Sequence, residues 1–302
     1  MSAMIDCKLV AARKARVDLF PTTLGLDAGR HALLGRKEDG VSVLLACIGG
    51  DLRHRGTTTV LGGAPNAPKT RARVGYVPLD VELPDVLRVD EALAVARSIR
   101  KNARVDATVV LAPFGIESLA KRRVDSLDRG EARAVALAEA VASPSVSVLL
   151  VEEPFVAMAP QACAAMTTAL ASRKDKCVVV ATASAYDASL LADDFALFDA
   201  GRLVRIVTEP PLTTGRESPT MRIVAADVRA LAAELAKQSD VAVMQLDARG
   251  IVVRGSDARA LATAVNAAIA DACVDVQRID TEHATLEELT EAAGAPAQGA
   301  AP

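Results

Sequence analysis

The sequence predicts an α/β chain in which a domain built on a mainly parallel sheet is followed by a smaller α+β unit. Two patterns carry this prediction. Short apolar runs alternate with helical stretches over the first two thirds of the 302 residues, and the last third has the order β-α-β-β-α-β. Aromatic residues make up only 2% of the chain, so its cores must be built from aliphatic side chains, as in parallel α/β packing.

The first domain is predicted over residues 1–208. Its strands are predicted at Cys7–Ala11, Val17–Phe20, His31–Leu34, Arg73–Pro78, within Ser147–Phe155, and at Cys177–Thr182, Phe195–Asp199 and Arg202–Val207. Its helices are predicted at Val41–Ile48, Val89–Arg100, from about 127–131 to Ala142, and at Pro160–Ser172 and Ala185–Ala192. The alternation of strand and helix favours a sheet whose strand ends meet at one edge.

A glycine-bounded loop, Gly35–Gly40, lies between a predicted strand and a predicted helix. Strand, glycine loop and helix form the geometry in which backbone N–H groups cradle a phosphate. The spacing matches the phosphate-loop motif, but Val41 stands where that motif has lysine, and Ser42 follows. Glu38 and Asp39 add negative charge to the loop, where we expect them to repel a phosphate. Ser42 also fits an ordinary role as a helix-capping residue.

A second candidate site is the run S-V-L-L-V-E-E-P-F at Ser147–Phe155. Its apolar residues predict a buried strand that ends in two adjacent carboxylates, Glu152 and Glu153. Ligands of open parallel sheets bind beyond the carboxyl ends of the strands, which would place both glutamates in the ligand crevice. From these residues alone, a strand that runs into a solvated acidic turn is equally consistent.

A proline-rich polar segment at 209–219 is predicted to be a linker. The unit after it, 220–291, has the element order of a ferredoxin-like α+β domain, and 292–302 is expected to be a disordered tail. Its elements are predicted at Met221–Ala225, Asp227–Lys237, Val241–Asp247, Ile251–Gly255, Asp257–Ala272 and Val274–Ile279, with a final helix at Thr285–Ala293.

Composition excludes several classes of function. A net charge of −3 and a pI near 5.8 give no basic field for nucleic acid, so no nucleic-acid partner is expected. Five scattered cysteines without a C-x-x-C pair fit buried thiols in a reducing cytoplasm and do not predict a zinc site. No apolar run is long enough for a spanning helix, and no signal peptide is predicted.

Taken together in order and spacing, these motifs make residues 1–208 resemble the ATP-binding subunit of ABC transporters, which has a P-loop NTPase-like fold. The C-terminal unit extends this resemblance to the exporter-type (ABC-2) subgroup, whose subunits often end in a small α+β domain. In that subgroup the domain closes with a segment that Thr285–Leu289 resembles. Each motif is weak when taken singly, and the specificity comes from their order.

The resemblance assigns a position in this sequence to each family motif. These are Gly35, Gly40, Val41 and Ser42 for a degenerate Walker A loop; Leu79 for the Q-loop; Leu127, Asp128, Arg129, Gly130 and Glu131 for the signature; Glu152 for the Walker B metal position; Glu153 for the catalytic glutamate; Ala157–Ala159 for the D-loop; and Ala183 for the H-loop. Val41, Leu79 and Ala183 replace the family's lysine, glutamine and histidine.

These departures imply an ABC subunit that hydrolyses ATP poorly or not at all, a pseudoenzyme, with weak binding of ATP and Mg²⁺ and no other cofactor. The family's head-to-tail dimer implies a homodimer or a heterodimer with an intact ABC ATPase. It also implies a membrane permease partner and a cytoplasmic location at the inner face of the membrane through that partner.

Two alternatives remain open from the sequence. In one, the chain is a slow but functional transport ATPase that uses Glu153 as base, with Arg129 or Lys37 supplying positive charge. In the other, it is a scaffold that has left transport altogether.

Overall fold

The computed structural model describes residues 3–102, 105–158, 160–173, 175–208, 220–247 and 250–282. The strands of the first domain are β1 Ile5–Lys14, β2 Val17–Leu26, β3 Gly29–Leu34, β4 Arg55–Val60, β5 Val74–Val77, β6 Val148–Glu152, β7 Cys177–Thr182, β8 Asp194–Asp199 and β9 Arg202–Val207. Its helices are α1 Val41–Gly49, α2 Pro68–Arg71, α3 Val89–Ile99, α4 Ala107–Leu111, α5 Arg129–Ala142, α6 Pro160–Ala171 and α7 Ala185–Leu191.

The central sheet of the first domain has six strands in the order β5-β6-β7-β3-β8-β9. Every pair is parallel except β8 with β9. Strands β6 and β7 are buried along their whole length, as expected for Val- and Leu-rich strands covered on both faces. Because β3, β5, β6 and β7 are parallel, their carboxyl ends meet at one edge of the sheet.

A second sheet, in the order β2-β1-β4, is antiparallel. Helix α1 lies between the two sheets, and its Leu44, Leu45 and Ile48 side chains are fully buried in the core that the sheets share. Helix α1 begins after Gly40 and ends before Gly50, and both glycines have positive φ. The apolar pattern of Val41–Ile48 therefore predicted this helix well.

The C-terminal unit consists of β10 Thr220–Ala225, α8 Val228–Leu235, β11 Val243–Asp247, β12 Gly250–Arg254, α9 Ala258–Ala272 and β13 Val276–Glu282. Its four strands form an antiparallel sheet in the order β11-β12-β10-β13, and α8 packs on α9. Helix α9 also packs against α6 and α7 of the first domain, so the two units share one apolar core.

Some predicted bounds were wrong. Strands β1 and β2 are twice as long or more than predicted, because polar residues of this twisted hairpin pair through the backbone and hide its apolar alternation. Strand β4 and helix α4 were missed, since R-G-T-T-T-V carries few apolar residues and α4 has only five. The predicted linker, the final helix and the tail lie outside the described residues. Within the ranges described, no helix is long and apolar enough to span a membrane.

Candidate functional site

The candidate site lies where four parallel strands end. Gly35 follows β3, Leu79 comes two residues after β5, Glu152 closes β6, and Ala183 follows β7. A cleft of about 780 Å³ opens beside this edge, and Lys37, Ser42, Leu79 and Glu152 are among its lining residues. The structure thus brings together the residues predicted for the Walker A, Q-loop, Walker B and H-loop positions.

The glycine loop Gly35–Gly40 contains a buried carboxylate, that of Asp39. Asp39 is only 7% exposed; its Oδ2 accepts the Arg36 N–H at 2.8 Å, and its Oδ1 accepts the Ala200 N–H at 2.9 Å. A Cβ on Gly35 would lie 3.0 Å from Val41 Cγ1 and 3.2 Å from Asp39 Cβ, so the loop is tightly filled. The Asp39 carboxylate therefore accepts hydrogen bonds from two backbone N–H groups and holds a negative charge in the loop.

Glu38 behaves differently from the sequence-based expectation. Its side chain is exposed, so of the two acidic residues predicted to charge the loop interior, only Asp39 is inside. The difference arises because the loop makes a short 3₁₀ turn over Lys37–Asp39 that directs neighbouring side chains to opposite sides. Lys37 is exposed at the border of the cleft.

The Glu152 carboxylate is bound through both oxygens. Ser42 Oγ donates to Glu152 Oε1, and the Leu79 N–H donates to Oε2 at 3.1 Å. The residue is 8% exposed, so these protein donors take the place of solvent. Burial, and after it the negative charge of Glu152, raises the pKa of nearby Tyr76.

Glu153 points to the neighbouring strand end. Its Oε2 accepts the Thr182 hydroxyl at 2.8 Å and its Oε1 accepts the Ala183 N–H at 3.0 Å. Its own N–H donates to the Ala181 carbonyl at 2.7 Å. The backbone of Glu153 has φ 44°, a left-handed conformation that is uncommon for a residue with a side chain. Tertiary contacts with β7 thus hold a strained glutamate at this position.

The sequence reasoning missed Arg133, which is 1% exposed within α5. Its guanidinium donates to the Pro78 carbonyl at 2.8 Å, to the Leu79 carbonyl at 3.0 Å and to the Glu152 carbonyl. Burial lowers its pKa, and the negative charges of Glu152 and then Glu153 oppose that change. The sequence carries no local signal for this contact, because arginine in a helix is more often exposed.

The segment predicted as the signature forms the beginning of α5. Asp128 Oδ1 accepts the Glu131 N–H at 2.8 Å, and Glu131 Oε2 accepts the Asp128 N–H at 3.0 Å, which is a capping box. Leu127 precedes it and packs against the core. The Arg129 guanidinium pairs with the exposed Asp80 at 2.8 Å. The positive end of α5 is therefore already bound to the chain's own carboxylates.

Gly130 makes a close backbone contact with the position predicted as the D-loop. A Cβ built on Gly130 would lie 1.8 Å from the Ala157 carbonyl oxygen. Ala157 itself has φ 62°. Glycine is therefore required here by packing, whatever other role the position has. Within the described ranges, no cluster of three or more His, Cys, Asp or Glu side chains is arranged to hold a metal ion.

Comparison with known proteins shows what this chain is similar to. The family model "ABC transporter" matches residues 21–156. The biotin transport ATP-binding protein BioM of Rhizobium etli is 29% identical over 147 residues, which cover 46% of this chain and 65% of that protein. The molybdenum import ATP-binding protein ModC of Brucella melitensis is 28% identical over 209 residues, which cover 65% of this chain and 58% of that protein.

The chain thus spans less than two thirds of the length of these curated relatives. Among solved structures, an ATP-binding subunit of an ABC transporter superposes with a TM-score of 0.61 at 20% identity, covering 68% of this chain and 90% of that one. At that identity the superposition shows the fold alone. Residues 21–156 are thus similar to the ABC transporter family, and the fold is that of an ABC transporter ATP-binding subunit.

Proposed function

We propose that this chain is an ABC transporter subunit that does not hydrolyse ATP and that works beside an active homologue, a membrane permease, or both. The observation that carries the proposal is the state of its acidic side chains. Asp39, Glu152, Glu153 and Asp128 each accept hydrogen bonds from donors of the chain itself. N–H and hydroxyl groups that a nucleotide site would offer to phosphate therefore donate to the chain's own carboxylates.

The residues present do not fit a complex of ATP with Mg²⁺. Phosphoryl transfer needs positive charge at the phosphates and a metal between them. Val41 supplies no charge, Asp39 places a carboxylate inside the loop, and the Ser42 hydroxyl is bound directly to Glu152. We therefore assign ATP and Mg²⁺ at most weak binding and derive no step through them.

The proposed base, Glu153, is also engaged in other contacts. Glu153 would have to accept a proton from an attacking water, but both of its oxygens accept hydrogen bonds from Thr182 and Ala183. Arg129, the residue proposed to supply charge in a slow ATPase, is paired with Asp80. These contacts support the non-hydrolysing subunit over the slow ATPase.

The partners follow from the family's head-to-tail pairing. Asp128 would face the nucleotide of the opposite subunit, and a carboxylate there opposes an anion. In a homodimer, both sites would combine the altered Walker A loop with the altered signature. In a heterodimer with an intact partner, each site would contain only one of these two defects. The proposal therefore favours a heterodimer, held at the cytoplasmic face of the membrane by a permease.

The relatives bear on the direction of transport. BioM is named as a biotin transport protein and ModC as a molybdenum import protein. These names do not add support to the exporter-type subgroup that the C-terminal segment predicts. The strand order and paired helices of residues 220–282 support a ferredoxin-like accessory domain, to which we assign a regulatory or dimerising role.

An ATPase assay of the purified chain tests the proposal. With Mg²⁺ we expect turnover at background, and no difference between the native chain and Glu153→Gln. Glu38→Gln is the matched control, because Glu38 is an exposed glutamate of the same region. Metal-dependent turnover that Glu153→Gln abolishes and Glu38→Gln retains would establish the slow ATPase instead.

Co-purification separates the subunit from the scaffold. The full chain, tagged and recovered from detergent-solubilised membranes, is expected to bring a multispanning permease or an intact ABC ATPase, identified by mass spectrometry. Recovery of a soluble partner of another kind, with neither of these, would favour the scaffold.

A further inference from the structure

A cavity of about 320 Å³ lies between the two units of the chain, away from the strand-end site. One wall comes from the segment after β6 and from α6 and α7, and the other from α9 and β13. The lining is mostly apolar and includes Phe155, Met158, Leu190 and Ile269. This volume lies at the lower end of the range of sites for small organic ligands.

Two adjacent polar groups of α7 line the cavity. The Tyr186 hydroxyl is fully buried and has no hydrogen-bond partner among the described residues. Asp187 is next to it, and the negative charge of Glu153 acts on its carboxylate. An unpaired buried hydroxyl is costly, and so is a carboxylate that is largely withdrawn from water. The cavity therefore has an apolar body and an acidic, acceptor-rich end.

The groups around Asp187 come from every element that packs there. Burial is the largest cause that raises its pKa, Glu153 of the segment after β6 raises it further, and a hydrogen bond with Ser184 lowers it; the resulting pKa is about 7. Cys163 of α6 and Arg278 of β13 also line the cavity. A bound cation would favour the ionised form of Asp187 and so would bind more tightly above neutral pH than below it.

We propose that this cavity binds a small organic amine, with its ammonium group at Asp187 and the Tyr186 hydroxyl and its apolar body between Phe155, Met158 and Ile269. A metal ion is the less suitable occupant, because no cluster of three or more His, Cys, Asp or Glu side chains is found among the described residues. The proposal does not depend on whether the chain hydrolyses ATP.

An amine bound in this cavity would affect both the strand-end site and the C-terminal unit. Phe155 precedes the position predicted as the D-loop and Met158 lies within it, and the charge of Glu153 acts on Asp187. The opposite wall belongs to α9 and β13. An amine in the cavity would thus link the position of the C-terminal unit to the segment that contacts Gly130 through Ala157.

Calorimetric titration of the full chain with 2-phenylethylamine tests the proposal. We expect saturable binding at pH 8 with a dissociation constant of about 1 mM or lower, and at least about tenfold weaker binding of 3-phenylpropionate, which has a similar body and the opposite charge. Affinity for the amine should fall by about tenfold between pH 8 and pH 6. Asp187→Asn should weaken binding by about tenfold or more and remove this pH dependence.

Three further variants keep the test decisive. Tyr186→Phe should weaken binding a few-fold, and Asn266→Phe, which places a ring into the cavity from α9, should abolish it. Asp240→Asn, an exposed acidic residue of the C-terminal unit, should change nothing. The absence of saturable binding, equal binding of amine and acid, or unchanged binding in folded Asp187→Asn and Asn266→Phe would each overturn the proposal.

Discussion

The Ser42 hydroxyl at the start of α1 donates a hydrogen bond directly to the Glu152 carboxylate at the end of β6. The second oxygen of Glu152 accepts the Leu79 N–H at 3.1 Å, so one carboxylate joins the start of α1 to the segment after β5 and to the end of β6. The glutamate side chain is long enough for its carboxylate to contact both Ser42 and Leu79. Direct hydrogen bonds therefore connect the three motif positions.

The first prediction concerns this connection. Ser42→Ala removes the hydroxyl donor and leaves one oxygen of a buried carboxylate unsatisfied, which should lower the free energy of unfolding by about 1–3 kcal/mol. Urea denaturation followed by circular dichroism measures the change. Ser126→Ala is the matched control, because the Ser126 hydroxyl is exposed and bonds to the nearby Arg123 carbonyl, and it should stay within about 0.5 kcal/mol. Equal effects of the two variants would contradict the proposed role of Ser42.

Much of this site could be predicted because its positions are set by strand order. The buried run before Glu152 and the glycine loop before Ser42 are local patterns, and parallel strands bring their ends together. What the sequence could not supply is the direction of each side chain. That Asp39 turns into the loop while Glu38 turns out depends on a 3₁₀ turn and on the Ala200 N–H, which is 161 residues away.

Arg133 shows the same limit for a helix. An arginine in an alanine-rich helix is consistent with a solvated position, and only the packing of α5 against the end of β5 decides that it is buried. The hairpin β1–β2 was underestimated for a related reason, since backbone pairing between polar residues leaves no hydrophobic signal. The burial of Arg133 and the length of the β1–β2 hairpin depend on partners distant in sequence more than on local propensity, so local patterns did not predict them.

The second prediction concerns the acidic residue of the glycine loop. Asp39→Ala removes the acceptor of the Arg36 and Ala200 N–H groups, so the loop should lose its link to the end of β8. We expect a loss of about 2–4 kcal/mol in the free energy of unfolding, because the two bonds are charge-assisted. Glu38→Ala in the same denaturation assay is the control and should be near neutral, since Glu38 is exposed. A small effect of Asp39→Ala would mean that the loop is held by other contacts.

The third prediction concerns the retained glycine of the signature-like segment. Gly130→Ala would drive a methyl group to 1.8 Å from the Ala157 carbonyl oxygen, so the backbone must move. The melting temperature should fall markedly, with a loss above about 2 kcal/mol in stability, although alanine has the higher helix propensity. Gly25→Ala is the control, since its added Cβ would meet only the Ala3 Cβ at 3.9 Å. Unchanged melting of Gly130→Ala would show that Gly130 is not kept for packing.

The fourth prediction concerns the buried guanidinium of α5. Arg133→Met keeps much of the side-chain volume but removes the donors to the Pro78, Leu79 and Glu152 carbonyls. A loss of about 3–5 kcal/mol is expected, because buried carbonyls are left unsatisfied and the carboxylates lose a nearby positive charge. Hydrogen exchange should increase at Leu79 and in β6. Arg129→Met, which breaks only the exposed pair with Asp80, should cost about 1 kcal/mol or less.

The last prediction is the pH dependence of stability that Asp187 imposes. Its pKa is raised from an ordinary 3.8 to about 7, first by burial and then by Glu153. The folded chain therefore binds a proton that the unfolded chain has released between these two values, and stability falls as the pH rises from about 4 to 7 and is constant above. The full penalty at pH 8 is at most about 4 kcal/mol.

Asp187→Asn removes the titrating group, so this variant should be more stable than the native chain at pH 8 and similar to it at pH 4. Urea midpoints at both values measure the change, and Asp240→Asn should follow the native chain throughout; a stabilisation by Asp187→Asn that is the same at pH 4 and pH 8 would show that the effect is not protonic.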